Sequence, residues 1–106
     1  MLTILIRYHG KNGSAKRFAE EMTSSGIVDQ IRSEKGNLRY EYFFPLDEED
    51  SVLLVDSWES QEALDHHHEL PLMDQITQLR EKYDLHMEVE KYQLLRDDKD
   101  AKYIRR

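Results

Sequence analysis

The order in which its periodicities change narrows this chain most. Four stretches read as strands and helical stripes fall between them, after the first and after the third. Residues 2–8 alternate: Leu2, Ile4, Ile6 and Tyr8 share one face, Thr3, Leu5 and Arg7 the other. Residues 38–44 are rich in aromatics, with Leu38, Tyr40, Tyr42 and Phe44 on one face. In residues 51–58, Val52, Leu54, Asp56 and Trp58 share a face and Leu53, Val55 and Ser57 the other. Residues 86–95 supply the fourth strand.

After the first strand, Ala15, Phe18, Ala19 and Met22 recur at helical spacing behind Ser14, a candidate N-cap. Thr23-Ser24-Ser25-Gly26 interrupts this helix, residues 27–34 are expected to resume it, and Gly36 is a candidate C-terminal cap. After the third strand, Ser60 is expected to cap a short helix carrying Ala63, Leu64 and His67. Pro71 is expected to start a second, with Leu72, Ile76, Leu79 and Tyr83 as its stripe. The order β-α-β-β-α-β is the ferredoxin-like α+β arrangement, an antiparallel sheet with helices on one face. The uncovered face is expected to carry Ile4 or Leu5, Val52 or Leu53, and His86 or Met87. A second copy is the usual cover for such a face, so a homodimer is expected.

With 106 residues the chain fits a single domain, expected over 1–95, followed by a charged tail over 96–106 that is mobile or docked on a partner. A formal net charge of -7, from 15 Lys and Arg against 22 Asp and Glu, argues against nucleic acid as a partner. Cys is absent, which removes disulfides, thiolate metal sites and Cys nucleophiles. No apolar run approaches a membrane span or a signal h-region, so a cytoplasmic protein is expected.

Chemistry concentrates in residues 56–68, which hold the only Trp and three of the five His. They read as a strand end, a cap and the first turns of a helix. Trp58 and His67 would then face one cavity, nine residues apart. His67 suits a base because imidazole titrates near neutrality. Trp58 reads as a stacking platform or as plain packing, and Tyr40 and Tyr42 would line the same space. The run His66-His67-His68 invites a metal reading, but successive helix residues diverge by about 100° and cannot converge on one ion. No metal is expected. Arg7 is a candidate for a substrate carboxylate or phenolate, or for a cross-strand pair with Glu41 or Glu88. Asp56 either stays exposed or orients a His.

The ordered set of elements resembles the antibiotic biosynthesis monooxygenase family of dimeric α+β barrels. The likeness runs roughly from Thr3 to Leu95. It rests on Lys35-Gly36-Asn37-Leu38-Arg39-Tyr40-Glu41, Val55-Asp56-Ser57-Trp58-Glu59-Ser60, Glu62-Ala63-Leu64-Asp65-His66-His67 and Pro71-Leu72-Met73. The family's acidic-x-Trp element falls on Asp56 and Trp58, its helix His on His67, and its Gly-to-Tyr element on Gly36 and Tyr40. Leu72 stands where many members have a second His, and Leu54 where some quinol-oxidising members have Asn. The first strand offers Arg7 and Tyr8 in place of the Asn of haem degraders. The resemblance implies a cofactor-independent monooxygenase that oxidises a quinol or polyphenol with O₂, with His67 acting as base; Trp58, Tyr40, Tyr42 and Arg7 are the candidate substrate-binding residues. The alternatives are an isomerase of a small hydroxylated or phosphorylated metabolite, and a non-enzymatic dimeric binding or stress protein. Few Lys and Arg surround the motif, which weighs against phosphate.

Overall fold

A computed structural model describes residues 1–106. The elements are β1 (Leu2–His9), α1 (Ser14–Ser24), α2 (Ile27–Arg32), β2 (Asn37–Phe43), β3 (Ser51–Trp58), α3 (Gln61–His68), α4 (Leu72–Lys82) and β4 (His86–Gln93). A 3₁₀ turn, Asp98–Tyr103, follows. The sheet has the order β2-β3-β1-β4 and every pairing is antiparallel, so the α+β ferredoxin-like expectation holds. The helices cover one face. Tyr8, Leu54 and Trp58 from the sheet and Phe18, Met22, Ile31 and Ile76 from the helices are fully buried in the core between the two layers.

Several local expectations are corrected. Ser14 is not the cap of α1. Gly13 holds that position at φ 78, a conformation that costs a glycine little. Ser14 Oγ instead accepts the Lys11 N–H at 3.0 Å. The break between α1 and α2 does fall at Gly26, again at positive φ. However, α2 stops at Arg32 with Ser33 as its C-cap, so Gly36 caps no helix. Gly36 stands in the turn into β2 at φ 90, and a Cβ there would sit 2.6 Å from the Ala63 Cβ. Close approach of α3, together with the backbone angle, is what requires glycine here. Leu38 bulges out of β2 between Asn37 and Arg39, is half exposed, and leaves the face that Tyr40 and Tyr42 share. β4 ends at Gln93, two residues short of Leu95, and every residue on it is exposed.

Register decides the open face. Residues opposite each other point to the same side, so Leu5, Leu53, Val55 and His86 belong to it. Ile4 and Val52 lie in the core, and Met87 shares their side of the sheet. Polar pairs frame the apolar stripe. Thr3 and Ser57 hydroxyls lie 2.9 Å apart, and the His9 ring spans Ser51 at 3.0 Å and Glu88 at 3.2 Å.

Candidate functional site

The short connection from β3 to α3 builds the site. Ser60 Oγ accepts the Ala63 N–H at 3.2 Å, which starts α3 immediately after the strand. His67 lies one turn beyond Ala63 and packs back onto Trp58. The two rings are 4.7 Å apart between centroids and tilted by 33°. Trp58 has no exposed surface and His67 retains 3%. The expected open cavity between them is instead a closed contact, and neither residue borders any of the principal clefts.

Two carboxyls fix this pair. Trp58 Nε1–H donates to Asp56 Oδ1 at 2.7 Å, from the next position on the same strand face. His67 Nδ1 lies 3.0 and 2.9 Å from the two oxygens of Glu34, in the turn between α2 and β2. A carboxylate accepts and cannot donate, so the ring's Nδ1 carries the hydrogen and a neutral ring keeps its lone pair on Nε2. Asp56 therefore takes neither role expected of it: it is buried and holds the indole, while Glu34 orients the His. Nothing local in the sequence marks Glu34, because its partner lies 33 residues away.

Further along the same face the site is phenolic. Tyr40 stands opposite Asp56 across the strands, and Tyr42 meets it edge-on at 5.9 Å. Arg80 of α4 donates from Nε and Nη2 to the Tyr8 hydroxyl at 3.1 and 2.9 Å, with its guanidinium 5.6 Å from the Tyr8 ring centre. Helical spacing points to Arg80: it continues the run Leu72, Ile76 at i+4, and both of those are buried. The Tyr42 hydroxyl is buried without a hydrogen-bond partner. The neighbouring Tyr40 hydroxyl affects its acidity but does not meet it in hydrogen-bonding geometry.

Burial dominates the electrostatics. It pushes Asp56 up to about 7; the Trp58 hydrogen bond opposes this, the charge of Glu34 adds to it, and Arg80 opposes it. Tyr8 is raised by burial against the pull of Arg80, and Tyr40 and Tyr42 are raised by burial, so all three phenols stay neutral. His68, its ring 5.5 Å from that of His67, is lowered by burial and by that neighbour.

Trp58, His67, Tyr40 and Tyr42 thus share the helix-covered side. Arg7 does not join them: it lies on the open face directly opposite Glu88 of β4, as one reading expected, but its guanidinium reaches Glu48 at 3.5 Å and forms a salt bridge with neither Glu88 nor Glu41. His66 lines a separate cleft of about 390 Å³ with Lys35, Gly36 and Glu59. No group of three or more His, Asp or Glu side chains is placed to hold a metal ion, and no helix is long and apolar enough to cross a membrane.

A family model described as antibiotic biosynthesis monooxygenase matches residues 1–79, from β1 into α4. Among solved structures, an antibiotic biosynthesis monooxygenase-type protein from Deinococcus radiodurans is 17% identical over 92% of this chain and 95% of its own, with a TM-score of 0.79. Rv0793 from Mycobacterium tuberculosis is 17% identical over 92% and 97%, with a TM-score of 0.75. SnoaB from Streptomyces nogalater, described as a cofactor-independent oxygenase, is 12% identical over 92% and 95%, with a TM-score of 0.74. At such identities the likeness is one of fold. Among curated proteins nothing matches the chain.

Proposed function

The chain belongs to the antibiotic biosynthesis monooxygenase family, and from that premise we propose that it is a homodimeric, cytoplasmic, cofactor-independent monooxygenase of a quinol or polyphenol. The observation that carries this reading is His67, held through Nδ1 by both oxygens of Glu34 and stacked on Trp58 in a site closed to solvent. A phenol that gives its proton to Nε2 becomes an electron-rich anion, and Glu34 sits where it balances the imidazolium so formed. Exclusion of water keeps that anion reactive. The phenolate then passes an electron to O₂, and the radical pair joins at a ring carbon as a peroxide. Loss of water leaves a quinone: one oxygen atom stays on carbon, and the other departs with the ring hydrogen and the phenolic proton. The substrate supplies every electron, so the balance needs no metal or flavin.

In this reading Trp58 and Tyr40 bind the substrate ring by stacking, and Arg80 with Tyr8 attracts its phenolate oxygen. Arg7, on the other side of the sheet, serves the subunit interface or the loop that carries Glu48. The complete burial of Trp58 also suits a second reading, a dimeric binding protein without turnover. Oxygen uptake with a panel of hydroquinones and naphthols, with and without chelator, separates the two. Uptake that survives the chelator supports the monooxygenase, and ligand binding without uptake supports the second reading.

A further inference from the structure

A sealed site needs a way in. Trp58 is fully buried and His67 nearly so, and no principal cleft touches them. Two clefts reach the line of aromatics that leads to them: one of about 300 Å³ at Tyr40, walled largely by polar residues that include Arg32, Arg39 and Glu41, and one of about 340 Å³ at Tyr42. The second lies between α1 and β2 and is lined by Ala19, Glu20, Thr23, Ser24, Tyr42 and Phe44. Its volume falls in the range of small-molecule sites, roughly 300 Å³ upward.

Tyr42 faces two ways. Its ring forms part of the cleft wall, while its hydroxyl is cut off from solvent and makes no hydrogen bond. A buried hydroxyl without a partner destabilises the arrangement that buries it, so the closed position of this ring is the less costly to leave. β2 is an edge strand, and no neighbouring strand flanks the ring on its outer side. Behind Tyr42 stand Tyr40 at 5.9 Å, then Asp56 opposite Tyr40, then Trp58 bound to Asp56, then His67. Phe44, half exposed at the mouth with Lys16 over its ring at 6.0 Å, offers an apolar landing surface.

We infer that Tyr42 is the gate between the α1–β2 cleft and the Trp58–His67 site. The ligand it admits is a planar aromatic of one or two rings bearing an acceptor oxygen, a phenolate or quinone carbonyl, which takes up the idle Tyr42 hydroxyl. The inference rests on the reading of Trp58 and His67 as the reacting site, but its test does not depend on turnover.

Trp58 is the only tryptophan, so its fluorescence reports access to the interior without any substrate. With acrylamide as the probe, Tyr42→Ala is expected to raise the quenching constant about threefold or more over wild type. Tyr42→Phe is expected to keep quenching low and to raise the melting temperature, because it removes the unpartnered hydroxyl. Ser24→Leu fills the cleft from an exposed position, and is expected to weaken naphthol binding, measured by calorimetry, about tenfold. Val28→Ala truncates the core in α2, away from the cleft, and controls for general loosening. The gate is overturned if Tyr42→Ala is quenched no more than wild type, or if Val28→Ala is quenched as much as Tyr42→Ala. Unchanged naphthol affinity in Ser24→Leu also overturns it. None of these results bears on whether oxygen is consumed, so failure of the gate and failure of the monooxygenase reading are read separately.

Discussion

Glu34 and Asp56 are two carboxyls at one site with opposite tasks. Glu34 gives both oxygens to His67, and Asp56 gives one to Trp58. Folding raises Asp56 from 3.8 to about 7, chiefly by burial. Between those values the folded protein binds the extra proton, so this residue lowers stability as pH rises through the window, and its cost is complete above about 7. Asp56→Asn keeps an acceptor for the indole and removes the ionisation. It is expected to flatten the pH dependence and to stabilise the protein at alkaline pH by up to about 4 kcal/mol. Urea unfolding at acidic and alkaline pH checks this, and parallel wild-type and variant curves would contradict it. In the proposed reaction, His67→Ala is expected to cost about 10²-fold or more in kcat, and His66→Ala and His68→Ala much less. Trp58→Phe is expected to raise KM more than it lowers kcat, since stacking holds ground and transition states alike. Equal activity of His67→Ala and wild type, both folded, would remove His67 from the mechanism.

At the scale of elements, the turn that presents Glu34 depends on Gly36. Its positive φ and the 2.6 Å approach of Ala63 leave no room for a side chain. Gly36→Ala is expected to destabilise the protein by about 1–3 kcal/mol and to weaken the Glu34–His67 contact. A melting temperature equal to wild type would refute it. Most of the element order was legible in the sequence, because period-two and helical stripes are local signals: Ile4, Ile6 and Tyr8 in β1, Ala15, Phe18 and Met22 in α1, Leu72 and Ile76 in α4. The bulge at Leu38 was not, since it arises from pairing with β3. The site was legible where it follows from one connection, Trp58 to His67 through the Ser60 cap. It was not where it depends on long-range closure, as with Glu34 on His67 and Arg80 on Tyr8. For Asp56, alternation gives the face it shares with Trp58 but not its hydrogen-bond partner or its burial. β4 presents exposed Met87, Val89 and Tyr92, with Leu94 and Leu95 beyond it. Removing residues from Gln93 onward is therefore expected to weaken self-association. An equally stable and equally associated truncated chain would end the idea that this strand reaches onto a second copy.

For the whole molecule, one sheet face is covered by helices and the other carries Leu5, Leu53 and Val55 between polar pairs. The proposed homodimer covers that stripe and is expected to bury about 2,000 Å² or more in total. Sedimentation showing a stable monomer at micromolar concentration would contradict it. In the proposed reaction the His67 site puts one atom of O₂ on an aromatic ring with electrons drawn from that ring alone. The most direct test is the mass of the product formed from a hydroxynaphthalene under isotopically heavy dioxygen, in the presence of a chelator. Wild type is expected to make a quinone carrying a single heavy oxygen, and His67→Ala to make none. A quinone whose new oxygen is light, or a labelled product formed equally well by His67→Ala, would contradict it.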